Sequence, residues 1–319
     1  MPQFDMPLDQ LRTYSPDLPC PEDFDPFWQE GLAQARQNSA PPSYREVEVP
    51  VSTIRAFDVT FGGYAGQPVH AWLILPKEAG ASLPGVIELI GYGGGRGFPH
   101  ERLLYASAGY AHLVLDSRGQ GLVSLDAASS GDPHARGWMT QGIGHRGTYY
   151  YRRLYLDVAR AVDTLASHPA VDPERLAVTG ASQGGGLAII AAGLQPGLLA
   201  CLPDVPFLCH FGRAITITDS LPYAEIAEYL RARRHEEAAV LDNLRYFDAV
   251  HFAARAKARA LFSVGLMDEV CPPSTVFAAF NRYGAVEKEI AVYPFNRHEG
   301  GAGQHELRKL QLLRAVFSG

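Results

Sequence analysis

The feature that most constrains this 319-residue chain is a glycine-rich segment, residues 178–186, which reads Val-Thr-Gly-Ala-Ser-Gln-Gly-Gly-Gly. An apolar run precedes it and is typical of a short buried strand, whereas residues 187–192 favour a helix. Gly180, Ser182 and Gly184 form a Gly-x-Ser-x-Gly pattern, in which a sharp strand-to-helix turn projects the serine hydroxyl above a sheet. Side chains at the two glycine positions would clash with such a turn. The segment therefore predicts a nucleophilic serine, and the alternative is a glycine-rich turn with an incidental serine.

The composition argues against several classes of protein. Hydrophobic residues make up 47% of the chain and charged residues 19%, a balance typical of globular proteins. A net charge of −6, without a long basic tract, argues against a nucleic-acid partner. No apolar run approaches the roughly 18–20 residues of a membrane span, and the N-terminus lacks the pattern of a secretory signal. The four cysteines have no metal-ligand spacing, and we expect reduced thiols.

The hydrophobic periodicity changes near Pro84. Before it, a period of two predicts antiparallel strands joined by glycine turns. After it, short apolar strands alternate with helices, which indicates parallel βαβ units. The strands are predicted at 44–51, 57–61, 69–75, 86–90, 111–116, 176–178, 199–207, 259–264 and 289–293. The helices are predicted at 24–37, 100–108, 149–167, 187–192, about 223–257 and 304–317.

These patterns predict an α/β fold with a mostly parallel central sheet and helices on both faces. We expect one domain over residues 1–319, with an N-terminal extension at 1–40. Residues 210–257 are expected to form a helical insertion above the sheet, because the strand pattern resumes after them at 259–264.

A serine hydroxyl needs a base to become nucleophilic. In folds with this turn the chain order is serine, acid, histidine, and both partners follow late strands. Asp268 follows the strand at 259–264 and His298 follows the strand at 289–293. We therefore predict His298 as the base and Asp268 as its orienting acid, with activity rising with pH near the ordinary imidazole pKa of about 6.5.

Asp268 and His298 could each have a structural role instead of a catalytic one. Asp268 could be a turn or helix-cap residue, and Glu269 would then be the substitute acid. His298 could be a surface-loop histidine, and Glu299 is expected to brace its loop. Arg118 could clamp a substrate carboxylate, although a buried arginine that braces loops is favoured.

The oxyanion of a tetrahedral intermediate needs two hydrogen-bond donors. We predict the backbone N–H of Gln183 as the first and that of Tyr92, in the glycine-rich loop 91–97, as the second. That loop lacks the Gly-Lys-Ser/Thr ending of a phosphate-binding loop, and its alternative is a flexible glycine turn. Val270 is predicted to cap a small acyl site, which would favour acetyl esters.

Taken together, the motifs resemble the acetyl xylan esterase / cephalosporin C deacetylase family, carbohydrate esterase family seven of the α/β-hydrolase superfamily. The resemblance covers about residues 20–317. Its motifs are Tyr92-Gly-Gly-Gly-Arg-Gly97, Arg118-Gly-Gln120, Thr148-Tyr-Tyr-Tyr-Arg-Arg153, Gly180-Ala-Ser-Gln-Gly-Gly185, Pro206-Phe-Leu-Cys-His-Phe211, Val264-Gly-Leu-Met-Asp268, Cys271-Pro-Pro-Ser-Thr-Val-Phe277 and His298-Glu299. It implies a triad of Ser182, Asp268 and His298, with oxyanion donors at Tyr92 and Gln183.

The resemblance also implies a cytoplasmic homohexamer of two stacked trimers that needs no metal or organic cofactor. Its substrates would be acetylated xylo-oligosaccharides and the 3′-acetyl group of cephalosporins. We expect Tyr92 and Val270 to be among the residues that contact them. Two departures leave the alcohol-side preference open: residues 121–137 lack the family's tryptophan-containing run, and Gln141 replaces its arginine. The remaining alternatives are a broad carboxylesterase or peptidase on the same fold, and a non-catalytic binding protein.

Overall fold

The computed structural model describes residues 3–37, 39–78, 80, 82–127 and 136–318. Within them, nine strands form one sheet in the order β1-β2-β3-β5-β4-β6-β7-β8-β9. The strands are β1 Ser43–Val47, β2 Ile54–Gly62, β3 Pro68–Pro76, β4 Leu83–Leu89, β5 Ala111–Leu115, β6 Val171–Ala181, β7 Ala200–Asp204, β8 Arg259–Gly265 and β9 Lys288–Tyr293.

The sheet changes from antiparallel to parallel where the sequence pattern changes. The pairs β1–β2, β2–β3 and β3–β5 are antiparallel. From β5 through β4 and β6 to β9, every pair is parallel. Because parallel strands place their carboxyl ends at one edge of the sheet, the loops after β4, β6, β8 and β9 meet there.

Eleven α-helices accompany this sheet within the described residues. They are α1 Leu8–Thr13, α2 Phe24–Gln37, α3 Leu104–Ser107, α4 Tyr150–Ala166, α5 Gln183–Leu194, α6 Phe211–Ile217, α7 Tyr223–Ala232, α8 Glu237–Leu244, α9 Ala249–Ala253, α10 Pro273–Arg282 and α11 Ala302–Phe317. Helices α6 to α9 lie between β7 and β8, in the segment where an insertion is predicted.

Helices cover both faces of the sheet, as the alternation along β6 demonstrates. Val178 packs in the large core cluster that includes Leu187 of α5. Its neighbour Ala177 packs in a second cluster with Leu313 and Phe317 of α11. Successive strand residues point to opposite faces, so these two clusters lie on opposite sides. The predicted α/β class, with its mostly parallel sheet, is confirmed.

Two predicted helices are interrupted. The stretch 100–108 contains a 3-10 turn and the short helix α3, because Arg102 between them has φ −117° and ψ 46°. Its carbonyl oxygen instead lies 3.1 Å from His112 Nδ1. The stretch 223–257 divides into α7, α8 and α9. Asp248 begins α9 by accepting a hydrogen bond from the Val250 N–H, and such a side-chain cap starts a new helix.

The cysteines are packing residues rather than disulfide partners. Cys201, Cys209 and Cys271 are buried free thiols, and Cys20 is a partly buried one. Burial raises the pKa of all three buried thiols. A thiol with a raised pKa is a poor nucleophile at neutral pH. Across the part of the chain that the structure describes, no helix has both the length and the apolar character that crossing a bilayer requires.

His251 of α9 links the stability of the insertion to pH. It is 3% exposed, and its ring centroid lies 5.7 Å from that of Phe24. Burial, with nearby arginines adding to it, lowers the pKa of His251 to about 4. A histidine in the unfolded chain has a pKa of about 6.5 and is protonated first on acidification. The stability that neutral His251 provides above about pH 6.5 is therefore lost progressively as the pH falls from that value to about 4.

We expect His251→Gln to lose less thermal stability than the parent between about pH 7.5 and about pH 5, because a buried histidine accounts for up to about 1.4 kcal/mol per pH unit there. Thermal midpoints at the two pH values measure the difference. His235→Gln is the control, since that side chain is 80% exposed, and it should follow the parent. Equal acid losses in His251→Gln and the parent would contradict the account.

Candidate active site

The turn at Ser182 joins β6 to α5 with a strained backbone. Ser182 has φ 58° and ψ −121°, a conformation that residues with a Cβ rarely adopt. Three hydrogen bonds hold it. Its N–H donates to the Asp204 carbonyl at 2.9 Å, and its own carbonyl accepts from the N–H groups of Phe207 at 2.9 Å and Gly186 at 3.0 Å. The loop after β7 thus keeps the serine in place.

Close backbone contacts explain the glycines around the turn. A Cβ at Gly180 would lie 2.5 Å from the Leu89 carbonyl oxygen, and a Cβ at Gly184 would come closer still to the same atom. A Cβ at Gly185 would lie 2.6 Å from the Asp204 carbonyl oxygen. The first turn of α5 therefore packs directly on the ends of β4 and β7, which only glycine permits.

The structure brings Asp268 and His298 together. His298 Nδ1 lies 2.9 Å from Asp268 Oδ2. The carboxylate is fully buried, while the imidazole is 33% exposed. Asp268 Oδ1 accepts hydrogen bonds from the N–H groups of Val270 at 2.8 Å and Cys271 at 3.0 Å. The acid is therefore oriented by its own loop, and Nε2 is the ring nitrogen left to take a proton.

The Cys271 thiol lies where the serine, the acid and the histidine meet. Burial raises the pKa of this thiol overall, although the Ser182 side chain acts to lower it. Asp268, Cys271 and His298 have metal-ligating atoms within 4.8 Å of one another, and they are the one such group among the described residues. Two of the three side chains already share the hydrogen bond between Asp268 and His298, so a metal ion there would compete with that bond.

Ser182 and His298 line one open cleft of about 610 Å³ at the carboxyl edge of the sheet. The predicted substrate contacts Tyr92 and Val270 are on its wall. The other lining residues are Gly91, Gly93, Arg136, Leu221, Pro222 and Glu225. Its volume is in the range of about 300–1,000 Å³ that is common for small-molecule sites.

The predicted oxyanion donors are the N–H groups of Gln183, which directly follows Ser182, and of Tyr92, which lines the same cleft as Ser182. Gln183 is the first residue of α5, where an N–H has no acceptor inside its helix. Within the described ranges, the backbone N–H groups of Gln183 and Tyr92 donate to no other group. The Gln183 side chain donates to the Ile90 carbonyl at 3.2 Å, which ties the turn to the loop after β4. This arrangement can stabilise negative charge beside the serine.

Comparison with known proteins identifies the family. The family model described as acetyl xylan esterase (AXE1) matches residues 1–315. The chain belongs to the acetyl xylan esterase family. More distant solved structures, a cold-adapted esterase and a prolyl endopeptidase among them, share the fold alone. The predicted α/β-hydrolase fold is therefore confirmed.

Two solved members of the family are similar over nearly the whole chain. The acetyl xylan esterase from Paenibacillus sp. R4 is 42% identical, with a TM-score of 0.92, and the match covers 98% of this chain and 100% of that one. Acetyl xylan esterase 1 from Thermoanaerobacterium sp. JW/SL YS485 is 36% identical, with a TM-score of 0.90, and the match covers 98% and 99%.

A curated relative is longer. The acetyl esterase Axe7A from Xylanibacter ruminicola is 29% identical over 297 residues, which cover 90% of this chain and 65% of that protein. The chain therefore spans less than two thirds of the length of this relative.

In this member of the acetyl xylan esterase family, Arg118 and Glu299 are bracing residues. The Arg118 guanidinium is fully buried, and its Nε and Nη2 donate to Asp157 at 2.6 and 2.8 Å. It does not line the cleft, so the alternative of a substrate clamp is wrong. The Glu299 carboxylate accepts hydrogen bonds from Asn296 Nδ2 at 3.0 Å and from the Arg297 N–H at 3.2 Å.

The two expected departures from the acetyl xylan esterase pattern are Gln141 and the segment 121–137, of which Arg136 lines the cleft. Gln141, which we expect to replace an arginine, accepts a hydrogen bond at Oε1 from Arg153 Nη2 at 3.2 Å. Within the segment 121–137, residues 128–135 lie outside the described residues. Trp138 follows that segment and packs edge-to-face on Tyr92, with ring centroids 5.1 Å apart.

Sequence reasoning missed two residues of the site. The Gln120 Oε1 accepts from the Gly93 N–H at 2.7 Å, and its amide pairs with the Gln183 side chain at 2.9 Å. Glu225 of α7 accepts hydrogen bonds from the Tyr92 hydroxyl at its two oxygens, at 2.7 and 2.8 Å. The motif Arg118-Gly-Gln120 could have indicated Gln120 from the sequence. No local signal pairs Glu225 with a loop 133 residues earlier.

We expect Gly184→Ala to lower the thermal midpoint and to slow the labelling of Ser182 by a fluorophosphonate, because the added Cβ would collide with the Leu89 carbonyl. Overpacking of this kind costs about 1–3 kcal/mol. Gly212→Ala is the matched control, since a Cβ there meets nothing within 4 Å. Parental stability and labelling in Gly184→Ala would show that the close approach does not shape the turn.

Proposed function

We propose that the chain is a serine esterase that removes acetyl groups from acetylated xylo-oligosaccharides and cephalosporin-type acetyl esters through an acetyl-serine intermediate. The observation that carries the proposal is that Ser182, Tyr92 and the Asp268-bonded His298 line one cleft. Membership of the acetyl xylan esterase family and the names of its solved relatives support the substrate class. By the same resemblance we propose a homohexamer in the cytoplasm.

The proposed reaction has two halves. In the first, His298 Nε2 takes the Ser182 proton while Oγ attacks the acetyl carbonyl carbon, and the N–H groups of Tyr92 and Gln183 bind the oxyanion. Collapse of the intermediate breaks the bond to the sugar oxygen, which leaves as an alcohol after receiving the proton from His298. In the second half, water gives a proton to the same base and attacks the acetyl carbon. Collapse then breaks the bond to Ser182 Oγ, which takes the proton back from His298, and acetate leaves. Asp268 fixes the imidazole tautomer throughout.

The acyl side of the cleft is proposed to be small. Val270 follows Asp268 by two positions and lines the same cleft as Ser182. Its N–H is held by the Asp268 carboxylate at 2.8 Å, so its β-branched side chain has a fixed position against the acyl group. A rigid apolar wall close to the nucleophile accommodates a methyl group and excludes a long chain, because one badly placed methylene costs about 1–3 kcal/mol.

We expect Ser182→Ala to retain the fold and to lose hydrolysis of p-nitrophenyl acetate, acetylated xylo-oligosaccharides and cephalosporin C, since no other hydroxyl occupies the strained turn. The measurement is the rate of product release from each of these three substrates. Circular dichroism is the folding control. Parental turnover in Ser182→Ala would overturn the assignment of the nucleophile. Cleavage of peptide amides by the parent would favour a peptidase. If the parent neither cleaves any of these substrates nor is labelled by an organophosphonate, a non-catalytic binding protein would be favoured.

The acyl-site hypothesis predicts faster hydrolysis of acetyl than of octanoyl p-nitrophenyl esters. Val270→Ala should raise the octanoyl rate relative to the acetyl rate, because it removes the wall next to the acyl group. Leu221→Ala, which changes another element of the same cleft, serves as the comparison and should leave the ratio nearer the parental value. Equal parental rates on the two esters would refute the hypothesis and indicate a broad carboxylesterase.

A further inference from the structure

We propose that Glu225 of α7 is a positioning residue that holds the Tyr92 loop, residues 91–97, with its N–H donor aimed at the oxyanion. The inference rests on the proposed function and deepens it. It assigns a task to the insertion between β7 and β8, which otherwise supplies no residue to the predicted triad. The inference rests on a set of hydrogen bonds, here called the tether, that joins three segments far apart in the sequence.

The Glu225 carboxylate joins these segments directly. Tyr92 Oη donates to its two oxygens at 2.7 and 2.8 Å. The Met139 N–H donates to Oε2 at 3.2 Å. The Tyr92 hydroxyl in turn accepts from the Trp138 N–H at 3.1 Å. One carboxylate therefore connects α7, the Tyr92 loop and residues 138–139, and it does so at the wall of the cleft.

The Tyr92 loop needs such a tether because its backbone is permissive. Glycine stands on both sides of Tyr92, and Gly93 has φ +76°. Glycine populates many backbone conformations with little preference, so the local sequence alone does not fix the direction of the Tyr92 N–H. The Gln120 side chain fixes one end by accepting from the Gly93 N–H at 2.7 Å. Glu225 fixes the side chain of Tyr92 itself.

The chemistry of the contact suits a permanent tether. Burial and the neighbouring Glu225 carboxylate raise the pKa of the Tyr92 hydroxyl well above its ordinary value. The phenol therefore stays protonated and remains a donor at any pH at which an esterase works. A hydrogen bond to an ionised acceptor is shorter and about twice as strong as a neutral one. The Tyr92 hydroxyl and the Met139 N–H both donate to the Glu225 carboxylate and so disperse its negative charge. That charge would otherwise repel the oxyanion of the intermediate.

The test compares Glu225→Gln and Glu225→Ala with the parent, and Glu228→Gln serves as the matched control because Glu228 is exposed on the same helix. We expect kcat for p-nitrophenyl acetate to fall on the order of 10- to 100-fold in Glu225→Ala, with a smaller fall in Glu225→Gln, because a misplaced group near the reacting atoms has effects of that size. KM should stay near the parental value, and the control should behave as the parent does. Thermal midpoints report whether each variant folds.

Two further measurements separate positioning from other roles. Amide hydrogen exchange in residues 91–97 should become faster in both Glu225 variants. Tyr92→Phe, which keeps the backbone N–H, should reproduce the loss of kcat, and the double variant with Glu225→Ala should be no worse than either single one, as expected for two residues that act through one contact.

Several outcomes would overturn the inference. A parental kcat and parental exchange in Glu225→Ala would mean that the loop holds itself. A change confined to KM would make Glu225 a substrate contact, and additive losses in the double variant would separate it from Tyr92. Absence of acetyl-ester hydrolysis by the parent would refute the proposed function, whereas hydrogen exchange in the Tyr92 loop would still decide whether Glu225 tethers it.

Discussion

The close approach of α5 to the ends of β4 and β7 is the constraint on which the site depends. Ser182 adopts a backbone conformation that is unfavourable for any residue with a Cβ. Such a conformation persists only where the surroundings determine it more strongly than the local preference does. Here the carbonyls of Leu89 and Asp204 leave room only for hydrogen at Gly180, Gly184 and Gly185. The result is a half-buried serine at the start of a helix, next to N–H groups without partners in that helix.

The same edge of the sheet collects the remaining groups. Parallel strands end together there, so the loops after β8 and β9 deliver Asp268 and His298 to each other across 30 residues. Backbone N–H groups of its own loop orient the Asp268 carboxylate. The segment between β7 and β8 then adds to the wall of the cleft and places Glu225 against Tyr92. The central strands fix the positions of the serine, acid and histidine, and the insertion completes the wall of the cleft.

How much of this the sequence predicts depends on the range of the interaction involved. The Ser182 turn could be predicted because its glycines, strand and helix are contiguous. Asp268 and His298 could be placed because a topological rule gives their order and their strands, although their catalytic roles stay predictions. Glu225 could not be found, since its contact with Tyr92 joins segments 133 residues apart and leaves no periodic trace. The break at Arg102 was missed for the same reason, because a tertiary contact with His112 competes with helix propensity.

The central claim is that the strained serine carries the acetyl group during turnover, and acid-quenched mass spectrometry tests it most directly. The protein is mixed with excess p-nitrophenyl acetate, stopped in acid within the first turnovers, digested and mapped for acetylated residues. The account predicts one acetyl group on the peptide that contains Ser182, which forms before steady turnover and disappears when the substrate is exhausted. Turnover without an acetyl group on that peptide, or with a transient acetyl group on another residue, would contradict it.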